Sequence, residues 1–321
     1  MNPNDRELPN YFAGPYLDRR AETRSHADWI RDARADAATL WILARGTSHL
    51  VHVEPQPRIA FVRGDHPLVT HAIPKDAILL GWFGGARCVL VEAGNEAADV
   101  PAPAGARFEE LRPLATQLPA DQAGLLAYAR ALSIWRLRHR FCGACGAVTH
   151  PVEAGHLLRC TNPECGGEIF PRIDPAIIVL VTDGERALLG RQASWPRGRY
   201  STIAGFVEPG ESLEDAVARE THEETGVAVR RIEYHSSQPW PFPSSLMLGF
   251  TAYAAPGAAV SVGAELEDAR WFTRDEIAAG TALLPTRTSI SYRLIEHWFD
   301  AGAAAPLAAI VEAQSQRASG T

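Results

Sequence analysis

The chain has no apolar stretch near the ~20 residues needed to cross a bilayer. Its opening residues, MNPNDRELPNYF, lack the basic start and apolar run of a secretory signal. These absences set the expectation of a soluble, cytoplasmic protein with no membrane partner. Cysteine is scarce: of five residues, four form two close pairs and Cys88 stands alone with no assigned role. In a long chain without a signal, that pattern suits a metal site in a reducing compartment better than a disulfide framework. An excess of positive charge is missing too. The net charge is −7, with acidic and basic residues interleaved, which argues against a broad nucleic-acid surface and leaves only a local basic groove open. No internal repeat is visible. What is present, 46% hydrophobic and 21% charged residues over 321 positions, describes a globular protein too long for one ordinary core, so two or three domains are expected.

From about Leu40 to Val91 the sequence reads as short strands (TLWILA, HLVHV, RIAFV, AILLGWF, RCVLVE), the last two joined across Gly84-Gly85. The stretch AGNEAADVPAPAGA has linker composition. From Asp121, read as an N-cap, Leu125, Tyr128, Leu132 and Trp135 follow helical spacing. The cysteine segment comes next, then two strands around an Asp183-Gly184 turn. Further strands lie in SLMLGFTAYAA and ARWFT, and a helix in ISYRLIEHWFDAG. The expected domains are a β-rich region over 1–120, a helix with a cysteine knot over 121–170, a mixed α/β domain over 171–301, and a fraying Ala-rich tail over 302–321.

The segment AGFVEPGESLEDAVARETHEETGV gathers Glu220, Glu223 and Glu224 with no lysine nearby. Ser212 and Asp215 form an N-cap pair, and Gly226 suits the C-terminal stop. Wound at ~100° per residue, Leu213, Ala216, Val217, Glu223 and Glu224 fall within about 60° of Glu220. Arg219, His222, Asp215, Glu214 and Ala218 fall outside, and Thr221 lies just beyond the arc. A solvated acidic face would oppose Leu213 and Val217, whereas this one extends their row. Like charges three and four apart repel, and uncompensated burial costs several kcal/mol or raises the pKa values. A hard divalent cation, Mg²⁺ or Mn²⁺, removes both penalties.

This segment resembles the Nudix hydrolase motif. Gly205, Glu211, Arg219, Glu220, Glu223, Glu224, Gly226 and Val227 fit it in register, with Thr221 where an aliphatic residue is usual. The resemblance implies hydrolysis of a nucleoside diphosphate linked to another group. It assigns Glu220, Glu223 and Glu224 to metal binding and water activation, the carbonyl of Ala204 as an extra ligand, and Glu211 with Arg219 as a bracing ion pair.

Upstream, Cys142-x₂-Cys145 and Cys160-x₄-Cys165 stand fourteen residues apart. The spacing describes a closed, structural Cys₄ Zn²⁺ ribbon, with an iron–sulfur cluster or plain buried thiols as alternatives. A ribbon alone would also suit a nucleic-acid module. Arg136, Arg138, His139 and Arg140 precede it, but TNPECGGEIF is not basic.

Downstream, SQPWPFPSS places three prolines in five positions, which excludes a helix or a central strand and leaves a stiff loop bearing Trp240 and Phe242. Within the Nudix hydrolases this segment resembles the NADH pyrophosphatases, which also have an upstream zinc ribbon and a β-rich N-terminal domain. FAGPYLDRRAETR and GWFGGARCVL look like that domain. The implied fold is α+β: a Nudix α/β/α sandwich with a mixed sheet, preceded by a zinc ribbon and a Nudix-like domain.

The resemblance further implies that Gln238, Pro239, Trp240, Pro241, Phe242, Pro243, Ser244 and Ser245 line a dinucleotide site, with Ser291 meeting substrate from the C-terminal segment. It implies that Phe170 and Phe206 stack on a base, core packing being the other reading of each. Glu265 matches a fourth metal-binding glutamate, with Glu267 close by. The expected activity is metal-dependent cleavage of NAD(H) to AMP and nicotinamide mononucleotide by a homodimer, NAD-capped RNA being a related substrate. The alternatives are hydrolysis of another nucleoside diphosphate derivative such as ADP-ribose, or a non-catalytic zinc-ribbon nucleotide or RNA binder.

Overall fold

A computed structural model describes residues 10–70, 77–94 and 100–319. The sequence-predicted linker falls partly outside them. The chain divides into two compact units, Met1–Ile173 with Pro239–Ser244, and Asp174–Gln238 with Ser245–Thr321.

The first unit contains β1 (Leu17–Asp18), α1 (Trp29–Ala35), β2 (Leu40–Arg45), β3 (Ser48–His52), β4 (Arg58–Ile59), α2 (Pro67–Thr70), β5 (Ile78–Phe83), β6 (Ala86–Glu92), β7 (Ala106–Glu110), α3 (Leu111–Leu114) and α4 (Ala120–Arg138). Its sheet runs β1-β5-β6-β2-β3-β4, with β7 also paired to β3. The expected Gly84-Gly85 hairpin is present: Phe83 pairs with Ala86, and both glycines have φ of 58° and 85°, the left-handed pair a two-residue hairpin turn needs. Both sheet faces are covered. Ile42 and Ala44 of β2 join Leu125, Leu126, Ala129, Leu132 and Trp135 of α4 in one core, while Trp41 and Leu43 face the other. That double burial explains the near-continuous apolar run of β2. The α4 helix starts two residues earlier than expected, after Pro119, and Asp121 lies in its first turn instead of capping it. The strands β8 (Thr149–Val152), β9 (Leu157–Cys160) and β10 (Glu168–Ile169) form a separate small sheet around the cysteines.

The second unit holds β11 (Asp174–Thr182), β12 (Arg186–Arg191), β13 (Ile203–Phe206), α5 (Leu213–Thr225), β14 (Val229–Trp240), β15 (Ser245–Ala254), β16 (Asp268–Thr273), α6 (Arg274–Ala278), α7 (Ile290–Asp300) and α8 (Leu307–Ser319). Its sheet order is β14-β15-β11-β12-β16, with β13 on β11. The sheet is mixed: β11 runs parallel to β15 and antiparallel to β12 and β13. Along β11, Ile177, Val179 and Val181 pack with Ala216 and Val217 of α5, and Ile178 and Leu180 pack with Leu294, Ile295 and Phe299 of α7. One helix on one face and three on the other give the expected α/β/α sandwich. The same skeleton recurs in the first unit, where β2 runs parallel to β6 and antiparallel to β3. The repeat is in topology, without a sequence repeat.

The expected fraying tail is corrected by the structure. Residues Leu307–Ser319 form α8, with Leu307 fully buried and Ile310 and Val311 packed on the same core. Gln314 donates to the carbonyl of Ala278 at 2.8 Å. The alanines that made the tail look featureless are strong helix formers, and a short apolar face docks it.

Candidate active site

The acidic helix is α5, and its ends form as the sequence predicts. The Ser212 hydroxyl accepts from the Asp215 amide at 3.1 Å, and Gly226 closes the helix at φ 69°. Which residues turn inward differs from the expected arc. Thr221 and Thr225 are fully buried and Glu224 is 7% exposed, whereas the Glu223 side chain is 60% exposed. The buried stripe of Ala216, Val217, Thr221, Glu224 and Thr225 is therefore centred roughly 60° from Glu220 toward Thr221. Glu220 and Glu224 lie within the span of that stripe and Glu223 flanks it. Thr221, placed just outside the arc by the wheel, lies inside the stripe, and its hydroxyl meets no partner among the described residues.

Arg219 organises the flank. Its Nε and Nη2 donate to the two oxygens of Glu211 at 2.7 and 2.9 Å. Its Nη1 reaches Glu220 at 2.8 Å and Glu223 at 3.2 Å, and Nη2 also donates to the carbonyl of Phe206 at 3.0 Å. The Arg219 bonds, with an amide bond from Glu208, hold the Glu211 carboxyl down to about 2. The geometry is a fork-to-fork brace between the loop before α5 and the helix itself. Gly205 of β13 completes the packing. A Cβ there would lie 1.9 Å from the Glu220 carboxyl carbon, so the carboxylate rests directly on the strand backbone.

Glu265 is brought in by the segment before it. The amides of Ser261 and Gly263 donate to the carbonyls of Thr225 and Glu224, each at 2.8 Å, at the end of α5. A side chain at Gly263 would meet the Glu223 carbonyl at 2.2 Å. Glu265 then acts on Glu224. Burial first, and the charges of Glu220 and Glu265 after it, push the Glu224 carboxyl up to about 7. Glu267 is engaged elsewhere, in an ion pair with Arg191. Gly263 was missed by sequence reasoning, although it stands only two residues ahead of Glu265.

The donor set fits a hard cation. Glu224 is a buried carboxylate that no donor meets among the described residues, beside two further carboxylates. The carboxylates do not converge as closely as the cysteines do; the guanidinium of Arg219 sits among them. At the second expected metal centre, the Sγ atoms of Cys142, Cys145, Cys160 and Cys165 lie within 4.8 Å of one another. Two of their separations are 3.8 and 3.4 Å, near the ~3.8 Å edge of a tetrahedron built on 2.3 Å Zn–S bonds. Backbone amides of Ala144, Ala147, Asn162 and Gly167 point at the four sulfurs in turn. These bonds favour thiolates, and they hold the Cys142 thiol down to about 7. Cys88, by contrast, is fully buried, and burial pushes its thiol well up. That is the environment of an inert core residue.

The expected substrate residues divide. Phe170 and Phe206 are 65% and 61% exposed, so neither packs in a core. Gln238 and Ser291 are each 1% exposed. The Gln238 amide group donates to the Thr288 carbonyl at 2.8 Å and accepts from the Ile290 amide at 2.9 Å, tying β14 to the start of α7. The Ser291 hydroxyl bonds Ser201 and Thr202 at 2.8 Å. Both side chains help to hold α7. Residues Pro239–Ser244 pack with the first unit, where Trp240 and Phe242 are half-buried against Phe12. Ser245 begins β15.

Three family models match the chain consecutively: an NADH pyrophosphatase-like rudimentary NUDIX domain over 38–135, an NADH pyrophosphatase zinc ribbon domain over 137–170, and a NUDIX domain over 172–298. The chain is similar to the NAD-capped RNA hydrolase NudC of Stutzerimonas stutzeri, 46% identical over 217 residues, covering 68% of this chain and 75% of the relative. It is 40% identical over 306 residues to the NAD-capped RNA hydrolase NudC of Mycobacterium bovis, covering 88% and 94%. It is also 33% identical over 340 residues to the NAD-capped RNA hydrolase NUDT12 of Macaca fascicularis, covering 91% and 74%. With a braced acidic helix on a Nudix sheet, a Cys₄ ribbon before it and a second Nudix-like sheet before that, the chain belongs to the NADH pyrophosphatase family of the Nudix hydrolases.

Proposed function

We propose that the protein hydrolyses the pyrophosphate bond of NAD(H) to AMP and nicotinamide mononucleotide, and removes NAD from the 5′ end of RNA by the same cleavage. The observation that supports this best is the buried, unpaired Glu224 carboxylate between Glu220 and Glu265, in a chain that also bears SQPWPFPSS. Glu220, Glu223, Glu224, Glu265 and the Ala204 carbonyl would hold Mg²⁺ or Mn²⁺. Such ions, when bound, neutralise bridging phosphate oxygens and lower the pKa of a bound water. The cysteines would hold one Zn²⁺ in a closed, structural site.

The protein's own groups do the rest. Glu211 and Arg219 keep the loop and the first turns of α5 in one arrangement, so the carboxylates are aimed before substrate arrives. Phe206 in the second unit and Phe170 in the first each present an exposed flat face of the kind that stacks on a base, a contact worth roughly 1–3 kcal/mol. Water attacks one phosphorus, its proton passes to a helix carboxylate, and the bridging P–O bond breaks to release two monophosphates. Cleavage adds one water across the diphosphate and needs no redox partner. We further assign the protein to the cytoplasm, as a homodimer. No helix among the described residues is long and apolar enough to cross a membrane.

Product analysis tests the reading. With NADH and Mn²⁺ the wild-type protein should release AMP, and Glu223→Gln should lose most turnover while melting within a few degrees of wild type. An unimpaired Glu223→Gln enzyme would remove the assignment. Equal concentrations of NADH, ADP-ribose and NAD-capped RNA, compared by kcat/KM, rank the substrates.

A further inference from the structure

We propose that Arg130 is a positioning residue for the loop Pro239–Ser244: from α4 its guanidinium fixes the course of that loop and so sets how tightly the dinucleotide binds. The inference rests on the reading of this loop as a substrate loop.

The segment leaves β14, which ends at Trp240, and enters β15 at Ser245. Pro239, Pro241 and Pro243 have no amide hydrogen to donate, and the Phe242 amide donates within the segment, to the Trp240 carbonyl at 2.8 Å. Further fixed points come from elsewhere in the first unit. Arg130 Nη1 donates to the carbonyl of Pro241. The Arg130 guanidinium lies 5.0 Å from the centre of the Phe242 ring, and that of Arg112 lies 4.2 Å from it. Arg112 is also 5.7 Å from the Trp240 ring. Phe12 meets both rings edge-on at 6.2 and 6.0 Å. A carbonyl and both aromatic side chains of the loop are thus held by residues outside it.

Stability does not account for Arg130. Its side chain is 11% exposed, and its acidic partner Glu110, at 3.4 Å, is 42% exposed. Burial is the largest influence on the guanidinium and pulls its pKa below the ordinary value. Its Nε–H meets no partner among the described residues. The Arg130 charge also acts on His49, a fully buried imidazole whose two nitrogens are likewise unpartnered. An ion pair at 3.4 Å with one partner this exposed is commonly worth little to stability. Nor does Glu110 depend on Arg130, because the hydroxyls of Thr47 and Ser48 donate to it. What the guanidinium supplies is two contacts from one planar group: an N–H on a loop carbonyl, with its carbon 5.0 Å from the centre of the Phe242 ring. A lysine ammonium is a compact charge without that planar fork, and so is less suited to making both at once.

The test compares full-length Arg130→Met and Arg130→Lys with wild type, using NADH and Mn²⁺. Arg130→Met should raise KM by about tenfold or more, the scale of a charge-assisted bond, with kcat changed less than about threefold. Arg130→Lys should recover part of the KM. Hydrogen exchange in a peptide spanning 236–247 should quicken in Arg130→Met, while the α5 peptide keeps its wild-type rate. A folded Arg130→Met enzyme with wild-type KM and wild-type exchange would overturn the inference. So would a parallel fall in kcat and melting temperature with KM unchanged, which is the mark of a fold role. A wild-type protein that releases no AMP from NADH would overturn the functional reading instead. The exchange comparison would then still decide whether Arg130 fixes the loop.

Discussion

Glu224 shows how little of a residue's environment its neighbours in sequence reveal. The spacing of three glutamates placed it on a helix, but its burial and its meeting with Glu265 come from a segment forty residues on. Its carboxyl titrates near 7 in the folded chain against an ordinary 4.5. Between those values the folded state binds more protons than the unfolded state, so the metal-free protein should lose stability as pH rises from 4.5 to about 7. A divalent cation offsets both causes, the burial of that charge and the repulsion from Glu220 and Glu265. Mn²⁺ should therefore raise the melting temperature more at about pH 7.5 than at about pH 5. Calorimetry in EDTA and in Mn²⁺ at the two pH values checks it; equal increments would contradict the assignment. Thr221, the position that departs from the family motif, supports a simpler test. Its hydroxyl is buried without a partner, so Thr221→Val should stabilise the protein by about 1 kcal/mol, read as a denaturant midpoint shift.

At the scale of elements, the ends of α5 were legible because capping chemistry is local: Ser212 and Gly226 do what their side chains dictate. Its facing was legible only to within about 60°, because the wheel was anchored on the carboxylates and not on the apolar residues that decide burial. The docking of α8 was not legible, since alanine alone does not mark a buried face. The fit between β13 and α5 yields a sharper expectation. A Gly205→Ala methyl would occupy the position of the Glu220 carboxyl group. Displacing that carboxylate by about an ångström should cost on the order of a hundredfold in kcat, with zinc content unchanged. Steady-state kinetics with metal analysis reads both, and a Gly205→Ala enzyme of normal kcat would show that Glu220 need not rest there. Metal analysis of the wild type should find about one zinc per chain.

For the whole molecule, acid sensitivity should reside in the first unit, which carries no part of the glutamate site. His49 and His156 are both buried there, and burial depresses each to about 4 from 6.5. His156 has an outlet, a bond between Nε2 and the Leu79 carbonyl at 2.8 Å; His49 has none among the described residues. The sequence HLVHV read as a strand, but alternation could not show that its histidines differ, because this sheet is covered on both faces. A base with a depressed folded pKa binds fewer protons folded than unfolded, so stability is present above 6.5 and is lost as pH falls toward 4. The loss is up to roughly 3 kcal/mol for each histidine over that window. Replacing the unpartnered imidazole, as in His49→Leu, should flatten the acid limb of the stability curve while leaving stability above pH 7 nearly unchanged. Urea midpoints measured across the window would show this. A His49→Leu protein whose midpoint falls as steeply with acid as wild type would mean that His49 is not the group taking up the proton.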